Sequence, residues 1–242
     1  SGVTYLDEKG AEVFQPADLV ILAAYQYHNV HLMLLSGIGK PYSPDTGEGV
    51  IGKNYAYQMG GGTGLFFKDV HFNPFVGAGS SAMVIDDFAT NQIDFGKEGF
   101  IGGSYISSGQ FNGQPIRSMP LPPGTPAWGA GWKQGIKDWY GRAMNIGSHG
   151  SNMSYRDCYL DLDPTYRNKN GQPMLRLTFD WKPNDIRMTQ FMRSRIEPIA
   201  KSMNPTHWAS NYKGENSHYD VRPYQTTHNV GGAIMGVDPT KS

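Results

Sequence analysis

Glycine and proline interrupt this chain so often that a helical bundle is excluded. The 242 residues include 31 glycines and 16 prolines, well above average usage. Aromatic residues make up 12% of the chain, which is typical of packed loops rather than of disorder. The sequence therefore predicts an α+β fold with many turns, long enough for one large domain or two small ones.

Charge and cysteine content exclude several functional classes. Lys plus Arg and Asp plus Glu each number 21, so the net charge is zero and no basic surface indicates a nucleic acid partner. The single cysteine, Cys158, excludes an internal disulfide and any site built from several thiolates, and we expect it to be a small core residue. The best apolar run, residues 19–24, is too short to span a membrane.

The start of the chain predicts a hairpin, a strand and a helix. Residues 3–6 and 12–14 flank a turn and predict the hairpin. The continuous apolar run at 18–24 predicts a fully buried strand. Helical spacing over 25–35, with Gly37 just beyond, predicts a helix with a defined end.

The middle of the chain, from about residue 40 to 128, is irregular. The glycine run at 60–64 is expected to end any regular element. Short strands are predicted at 64–67, 83–85 and 100–106. Helical spacing then predicts a helix over 128–144. It would place three tryptophans on one stripe, in the core rather than on a binding surface: Trp128, Trp132 and Trp139.

Two further elements complete the predicted architecture. Alternating residues at 155–162 and 174–181 predict an antiparallel hairpin, which we expect to lie in a mixed, mainly antiparallel sheet. A helix over 184–203, whose end Pro198 should kink or shorten, is expected to pack on one face of that sheet. Its predicted contacts are Met188, Met192, Ile196 and Ile199.

Two short patterns suggest ligand sites that their context does not support. Residues 77–82 match the dinucleotide-binding pattern G-x-G-x-x-A, but Asn73-Pro74 interrupts the strand that must precede it. A surface loop is therefore favoured. His28 and His31 could share a metal ion, but no carboxylate or thiolate nearby completes the site, so no metal is predicted.

Two other residue groups leave catalytic alternatives open. Asp161 and Asp163 share a strand face, where glycosidase chemistry is conceivable but a solvated strand end is favoured. In the segment 224–236, His228 stands among small polar residues and is followed by two glycines that permit close backbone approach. From spacing alone His228 is as consistent with a structural histidine as with a general base.

Three passages together resemble the glucose–methanol–choline family of FAD-dependent oxidoreductases, in particular its gluconate dehydrogenase branch. The first ends in Ser36-Gly37-Ile38-Gly39. The second, Val50-Ile51-Gly52-Lys53-Asn54, resembles the family's Val-Gly-Arg-Asn segment. The third, residues 228–235, resembles its His-x-x-Gly-[Thr/Gly]-x-x-Met segment. In this order the three passages make a specific combination that spans nearly the whole chain.

The resemblance implies a set of site residues. His228 would be the catalytic base and Asn229 would bind substrate. Ala23, Ala24 and Asn29 would contact FAD, and no metal is implied. The implied reaction oxidises an alcohol group of a sugar, a sugar acid or a polyol, with hydride transfer to the flavin.

The resemblance also implies a domain plan and partners. Residues 1–60 would be part of the FAD domain, 61–223 the substrate-binding domain, and 224–242 the start of a C-terminal catalytic segment. We expect an internal fragment of a longer enzyme, in which the isolated fragment neither retains FAD nor turns over. A small subunit and a cytochrome c electron acceptor, in the periplasm, are implied as well. The open alternative is a non-catalytic carbohydrate-binding or interaction domain.

Overall fold

The computed structural model describes residues 1–73, 83–92, 94–110, 120–222, 227–238 and 240–242. In chain order its elements are β1 (Gly2–Leu6), β2 (Glu12–Pro16), α1 (Gln26–Leu35), β3 (Gln58–Phe66), β4 (Met83–Ile85), α2 (Phe95–Glu98), β5 (Ser104–Gln110), α3 (Gly129–Trp139), β6 (Ala143–Ser151), β7 (Tyr159–Arg167), β8 (Pro173–Thr178), α4 (Pro183–Ser202) and β9 (His207–Asn211). The chain divides into two units. The first unit comprises residues 1–55, 156–178 and 229–242, and the second unit comprises residues 56–155 and 179–228.

The first unit is built from two hairpins and one helix. β1 pairs antiparallel with β2, and β7 pairs antiparallel with β8, as their alternating sequences predict. Helix α1 contacts both strands of the β7–β8 hairpin. Its buried residues are Val30 and Leu34. Buried Cys158 and Leu160 lie at the start of this hairpin, so the prediction of a core cysteine is confirmed.

The second unit is a five-stranded antiparallel sheet covered on one face by α4. The strand order is β4-β5-β6-β3-β9. Because successive residues of a strand point to opposite faces, Leu65, Ile106 and Ile146 meet Met192 and Ile196 of α4 in one core. The other face carries the candidate site, and Trp139 of α3 packs edge-on against Phe66 at one end of it.

Helix α4 matches its sequence prediction closely. It begins with Pro183 in the first turn and carries Asp185 early and Lys201 late, which suits the helix dipole. Met188, Met192 and Ile196 are buried as predicted. Ile199, however, is 37% exposed, and Ala200 takes its place in the core.

The glycine run at 60–64 does not end a strand, contrary to the prediction. It forms the middle of β3, which pairs with β6 on one side and β9 on the other. Hydrogen bonding to two neighbours satisfies the backbone of this strand, so tertiary pairing overrides the low strand propensity of glycine.

The predicted buried strand at 18–24 is wrong. The structure has no strand there, and Leu19 and Ile21 are each 77% exposed. A buried strand needs neighbours to pair with, and none of the described strands pairs with this segment.

The helix predicted over 128–144 is also too long. It ends at Trp139, where Tyr140 turns extended and Gly141 takes φ 69°, and residues 143–151 form the central strand β6. Trp128 precedes the helix and is 84% exposed, and Trp132 is 38% exposed, so the predicted place of these two tryptophans in the core is wrong. The Met144 side chain packs against the sheet core instead of ending a helix.

The prediction of a mixed α and β fold with an antiparallel sheet is confirmed. The β7–β8 hairpin, however, forms its own two-stranded sheet in the first unit, whereas the sequence predicted it to lie in the large sheet. None of the helices among the described residues is long and apolar enough to cross a membrane.

Candidate functional site

The open face of the second unit has a floor made of glycine. Gly60, Gly62 and Gly64 alternate along β3, and Gly147 of β6 stands directly opposite Gly62. Without side chains, these positions leave a cavity of about 630 Å³ above the centre of the sheet, which we call the glycine-floored pocket. Its size is that of an ordinary small-molecule site.

Amide side chains lie across this floor. A Cβ at Gly62 would stand 2.8 Å from Oδ1 of Asn145, and a Cβ at Gly147 would stand 3.0 Å from its Nδ2. Gln58 and Asn211 also line the pocket. Amides both donate and accept hydrogen bonds, so this floor suits a ligand with several hydroxyl groups.

A histidine forms part of the pocket rim. His149 is exposed, stacks on the ring of Tyr105 with centroids 5.6 Å apart, and places Nδ1 3.3 Å from Oε1 of Gln58. A titratable imidazole held in this way in a cavity is a candidate proton-transfer or positioning group.

One wall of the pocket is aromatic and positively charged. Trp181 packs edge-on against Phe179 and Tyr219 at 5.2 and 5.5 Å between ring centroids. The ammonium of Lys213 lies 5.4 Å from the centroid of the Trp181 ring, a cation–π arrangement. The indole Nε1 of Trp181 is buried and has no hydrogen-bond partner among the described residues, a cost that functional sites tend to carry.

A carboxylate fixes the backbone of this wall. Asp180 accepts hydrogen bonds from the backbone N–H groups of Trp181 and Tyr219, at 2.8 and 2.7 Å, and lies 2.6 Å from Nδ1 of His218. Burial raises the pKa of Asp180, but the contacts with His218 and the two N–H groups outweigh it and hold the pKa below its usual value. Asp180 therefore stays ionised and ties the segment after β9 to Trp181.

A second, fully buried carboxylate anchors the opposite side of the sheet. Asp185, in the first turn of α4, accepts hydrogen bonds from Asn152 Nδ2 at 2.7 Å, from the Met153 N–H at 3.3 Å and from the Tyr155 hydroxyl at 3.4 Å. Burial raises the pKa of Asp185. Asp185 serves the fold by joining α4 to the loop after β6.

A second cavity of about 610 Å³ lies beside α3 in the second unit. Its lining mixes both charges: the basic residues Lys68, Lys137 and Arg142, and the acidic residues Asp69 and Asp138. Such mixed charge does not select a ligand class, and the glycine-floored pocket is the better candidate.

The predicted base and its neighbour have different surroundings. His228 is exposed, and it is the last residue of the second unit. Asn229 is buried in the first unit, where the Tyr55 hydroxyl donates to its Oδ1 at 2.5 Å and its Nδ2 donates to the Tyr25 hydroxyl. The amide of Asn229, predicted to bind substrate, is thus held by two tyrosines.

The second and third sequence motifs meet in the first unit. The Gly52 N–H donates to the Gly232 carbonyl at 2.6 Å, and the Gly232 N–H donates to the Lys53 carbonyl at 2.8 Å. Gly231 takes φ 81°, and a Cβ there would stand 1.9 Å from the Asn54 carbonyl oxygen. The motif glycines are therefore required by close backbone packing.

The three residues predicted to contact FAD lie together at the start of α1. Ala23 and Ala24 are exposed, and the Ala24 N–H donates to Oδ1 of Asn29 at 2.8 Å. Oε1 of Gln26 is buried without a hydrogen-bond partner among the described residues. Small exposed side chains beside an unsatisfied buried acceptor fit the edge of a bound group.

The structure describes two of the three alternative groups that the sequence raised, the histidine pair and the aspartate pair. His31 Nε2 lies 2.8 Å from the Pro173 carbonyl oxygen, and the described residues contain no metal-binding cluster. Asp161 pairs with Arg176. Asp163 accepts the N–H groups of Thr165 and Tyr166, which lower its pKa, so neither aspartate is poised as a general acid. The nucleotide pattern at 77–82 falls at positions outside the described residues.

Comparison with known proteins shows that the chain is similar in sequence to parts of two curated dehydrogenases. It is 52% identical over 243 residues to the gluconate 2-dehydrogenase flavoprotein of Pantoea cypripedii, covering 100% of this chain and 40% of that protein. It is 21% identical over 245 residues to the 2-methyl-1,2-propanediol dehydrogenase of Mycolicibacterium austroafricanum, covering 100% of this chain and 43% of that protein. No protein-family model matches.

The predicted resemblance is thereby confirmed: this chain is a relative of the gluconate 2-dehydrogenase flavoprotein. It spans about two fifths of the length of the curated relatives it matches.

Sequence reasoning missed the residues that line the glycine-floored pocket. Asn145, His149 and Lys213 belong to no motif, and only the pairing of β3 with β6 and β9 brings their segments together. One signal was available: alternate glycines in a run of strand length mark a sheet face that a ligand or another backbone approaches closely.

Proposed function

We propose that this chain is the substrate-binding part of an FAD-dependent dehydrogenase that oxidises an alcohol group of a sugar, a sugar acid or a polyol. The observation that carries the proposal is the glycine-floored pocket, a cavity lined by apolar and polar groups in a chain that is 52% identical to a gluconate 2-dehydrogenase flavoprotein. Amides on its floor and an aromatic wall suit a polyhydroxylated ligand.

In this proposal the protein binds and orients the substrate and moves its hydroxyl proton. FAD, when bound, supplies the hydride acceptor. Ala23, Ala24 and Asn29 would hold the cofactor edge, and His228 would take the proton. A neutral imidazole suits that task near neutral pH. A cytochrome c and a small subunit as electron-transfer partners, and a periplasmic location, belong to the proposal by resemblance alone.

The test is a histidine scan in the full-length protein that contains this chain, with reduction of an artificial electron acceptor as the readout. The His228→Ala variant should lose about 10²- to 10⁴-fold in kcat with unchanged flavin content, the usual contribution of a positioned base. His207→Ala is the control, because His207 packs edge-on against Trp139 and lies in no catalytic motif.

The same scan discriminates between the two candidate bases. If His149→Ala loses 10²-fold in kcat and His228→Ala does not, the base is the pocket histidine and the motif assignment is wrong. Turnover of a sugar without flavin or electron acceptor would contradict the dehydrogenase proposal and favour a hydrolase.

A further inference from the structure

The proposed function covers neutral sugars, neutral polyols and sugar acids, and the charge of the residues lining the glycine-floored pocket distinguishes between neutral and acidic substrates. Among the described residues that line it, Lys213 carries the one fixed charge, and no aspartate or glutamate lines it. We infer that Lys213 recognises a carboxylate on the substrate and gives the pocket its preference for a polyhydroxy acid over a neutral polyol. This inference rests on the proposed function and adds a specificity-determining residue to it.

The backbone of Lys213 is held in place. It follows β9, whose last residue, Asn211, pairs with Gly62 on the pocket floor. Gln190 of α4 donates its side-chain amide to the Lys213 carbonyl. Gly214 and Ser217 close a hydrogen-bonded turn just beyond, with the Gly214 N–H 2.8 Å from the serine hydroxyl oxygen. The lysine therefore extends from a fixed point at the edge of the floor.

The ammonium of Lys213 remains available for an anion. It makes no ion pair with any described residue and lies over the face of the Trp181 ring, and Lys213 as a whole residue is half-buried. A cation–π contact stabilises the cation without neutralising its charge, so a ligand carboxylate can still bind to it. Reduced solvent access strengthens that interaction relative to an exposed pair.

The position of Trp181 is in turn over-determined. Its backbone N–H is held by Asp180, and its ring packs against three aromatic rings: Tyr57, Phe179 and Tyr219. Ordering the wall before the ligand arrives lowers the entropic cost of binding. Besides the rim histidine His149, the remaining amide and hydroxyl side chains of the lining are neutral: Gln58, Ser107, Asn145, Ser148, Ser210 and Asn211. One cation at the wall and neutral donors and acceptors on the floor match one carboxylate and several hydroxyls.

The test compares gluconate with gluconamide, its neutral amide, in the full-length protein. In the wild type, kcat/KM should be higher for gluconate. Lys213→Met should raise KM for gluconate about 10- to 100-fold, the usual weight of a charged hydrogen bond, with a smaller change in kcat. The preference over gluconamide should disappear in this variant. Lys213→Arg should restore most of the gluconate affinity, and Lys133→Met, on the exposed side of α3, should change neither substrate's KM.

Isothermal titration with the same two ligands separates the two ideas. Loss of gluconate binding in Lys213→Met, with a wild-type full-length protein that oxidises no sugar, sugar acid or polyol in the presence of an electron acceptor, supports the role of Lys213 and refutes the dehydrogenase proposal. Oxidation of gluconate with equal KM in the wild type and Lys213→Met overturns the role of Lys213 and leaves the dehydrogenase proposal standing. The role of Lys213 is also overturned if the wild type binds gluconate and gluconamide with equal affinity, or if it does not bind gluconate.

Discussion

The two units of this chain differ in how their sequence motifs relate to their structure. In the first unit, two sequence motifs converge, and the Gly52 and Gly232 backbones hydrogen-bond where side chains could not fit. In the second unit, the glycine-floored pocket is lined by residues of no motif, and their common face arises from strand pairing. Short motifs thus mark backbone contacts in one unit, while the lining of the pocket in the other comes from several strands.

The largest effect should come from a motif glycine of the first unit. Gly231→Ala would force a Cβ to 1.9 Å from the Asn54 carbonyl oxygen at φ 81°, and we expect a loss of about 3 kcal/mol or more in unfolding free energy. Gly10→Ala is the matched control, because Gly10 has nearly the same φ, 80°, with no atom within 4 Å of its Cβ position. Its expected cost is about 1 kcal/mol.

Urea unfolding of both variants gives the comparison directly. If Gly231→Ala and Gly10→Ala lose the same unfolding free energy, the positive φ alone explains why glycine is needed at position 231. The close approach of the two motif backbones would then make no contribution.

The next effect concerns the buried carboxylate of the second unit. Asp185→Asn would turn an N–H₂ group toward donors that now meet a carboxylate, and we expect a loss of about 1 to 3 kcal/mol. Because burial raises the folded-state pKa of Asp185, the folded state binds the proton more tightly than the unfolded state. The contribution of Asp185 to the unfolding free energy therefore grows as the pH falls from its folded-state pKa toward its unfolded-state pKa, about 3.9.

For Asp163, a half-buried aspartate of the first unit, the pH dependence has the opposite sign. Two backbone N–H groups lower the pKa of Asp163, so its contribution is present above the unfolded pKa and is lost as pH falls through the folded pKa. The check is the unfolding free energy of the wild type and both variants between pH 3 and 7. As the pH falls, the difference between the wild type and Asp185→Asn should grow, and the difference between the wild type and Asp163→Asn should shrink. Parallel profiles would contradict this contrast.

Elements that depend on local sequence were predictable, whereas elements that depend on residues distant in the sequence were not. The β1–β2 hairpin, α1, β4 and α4 depend on local spacing and end signals, and all four were predicted near their observed bounds. The central strands β3 and β6 were not, because their glycines gain strand structure only from neighbours distant in sequence.

The candidate site divides along the same line. The segment around His228 was identified by a contiguous motif, whereas Asn145 and Lys213 lie 68 positions apart and meet only in the folded sheet. The 18–24 segment shows the converse error: its apolar run predicts burial, but a strand forms only where a partner strand exists.

The smallest effect on stability, and the most specific for function, should come from the floor of the pocket. Gly62→Ala would place a Cβ 2.8 Å from Oδ1 of Asn145 and displace that amide from the floor. Because alanine also restricts the unfolded chain, stability should change by less than about 1 kcal/mol.

The KM for gluconate should nevertheless rise about fivefold, since one hydrogen bond to the substrate, worth about 1 kcal/mol, is misplaced. Gly64→Ala is the matched control: it lies two residues along the same face, its Cβ would have no neighbour closer than 3.7 Å, and its KM should stay within about twofold of the wild type. Steady-state kinetics on the two variants of the full-length protein decide the matter. If both variants raise KM equally, the floor tolerates no side chain anywhere and Asn145 has no special role; if neither does, the substrate binds elsewhere than over these glycines.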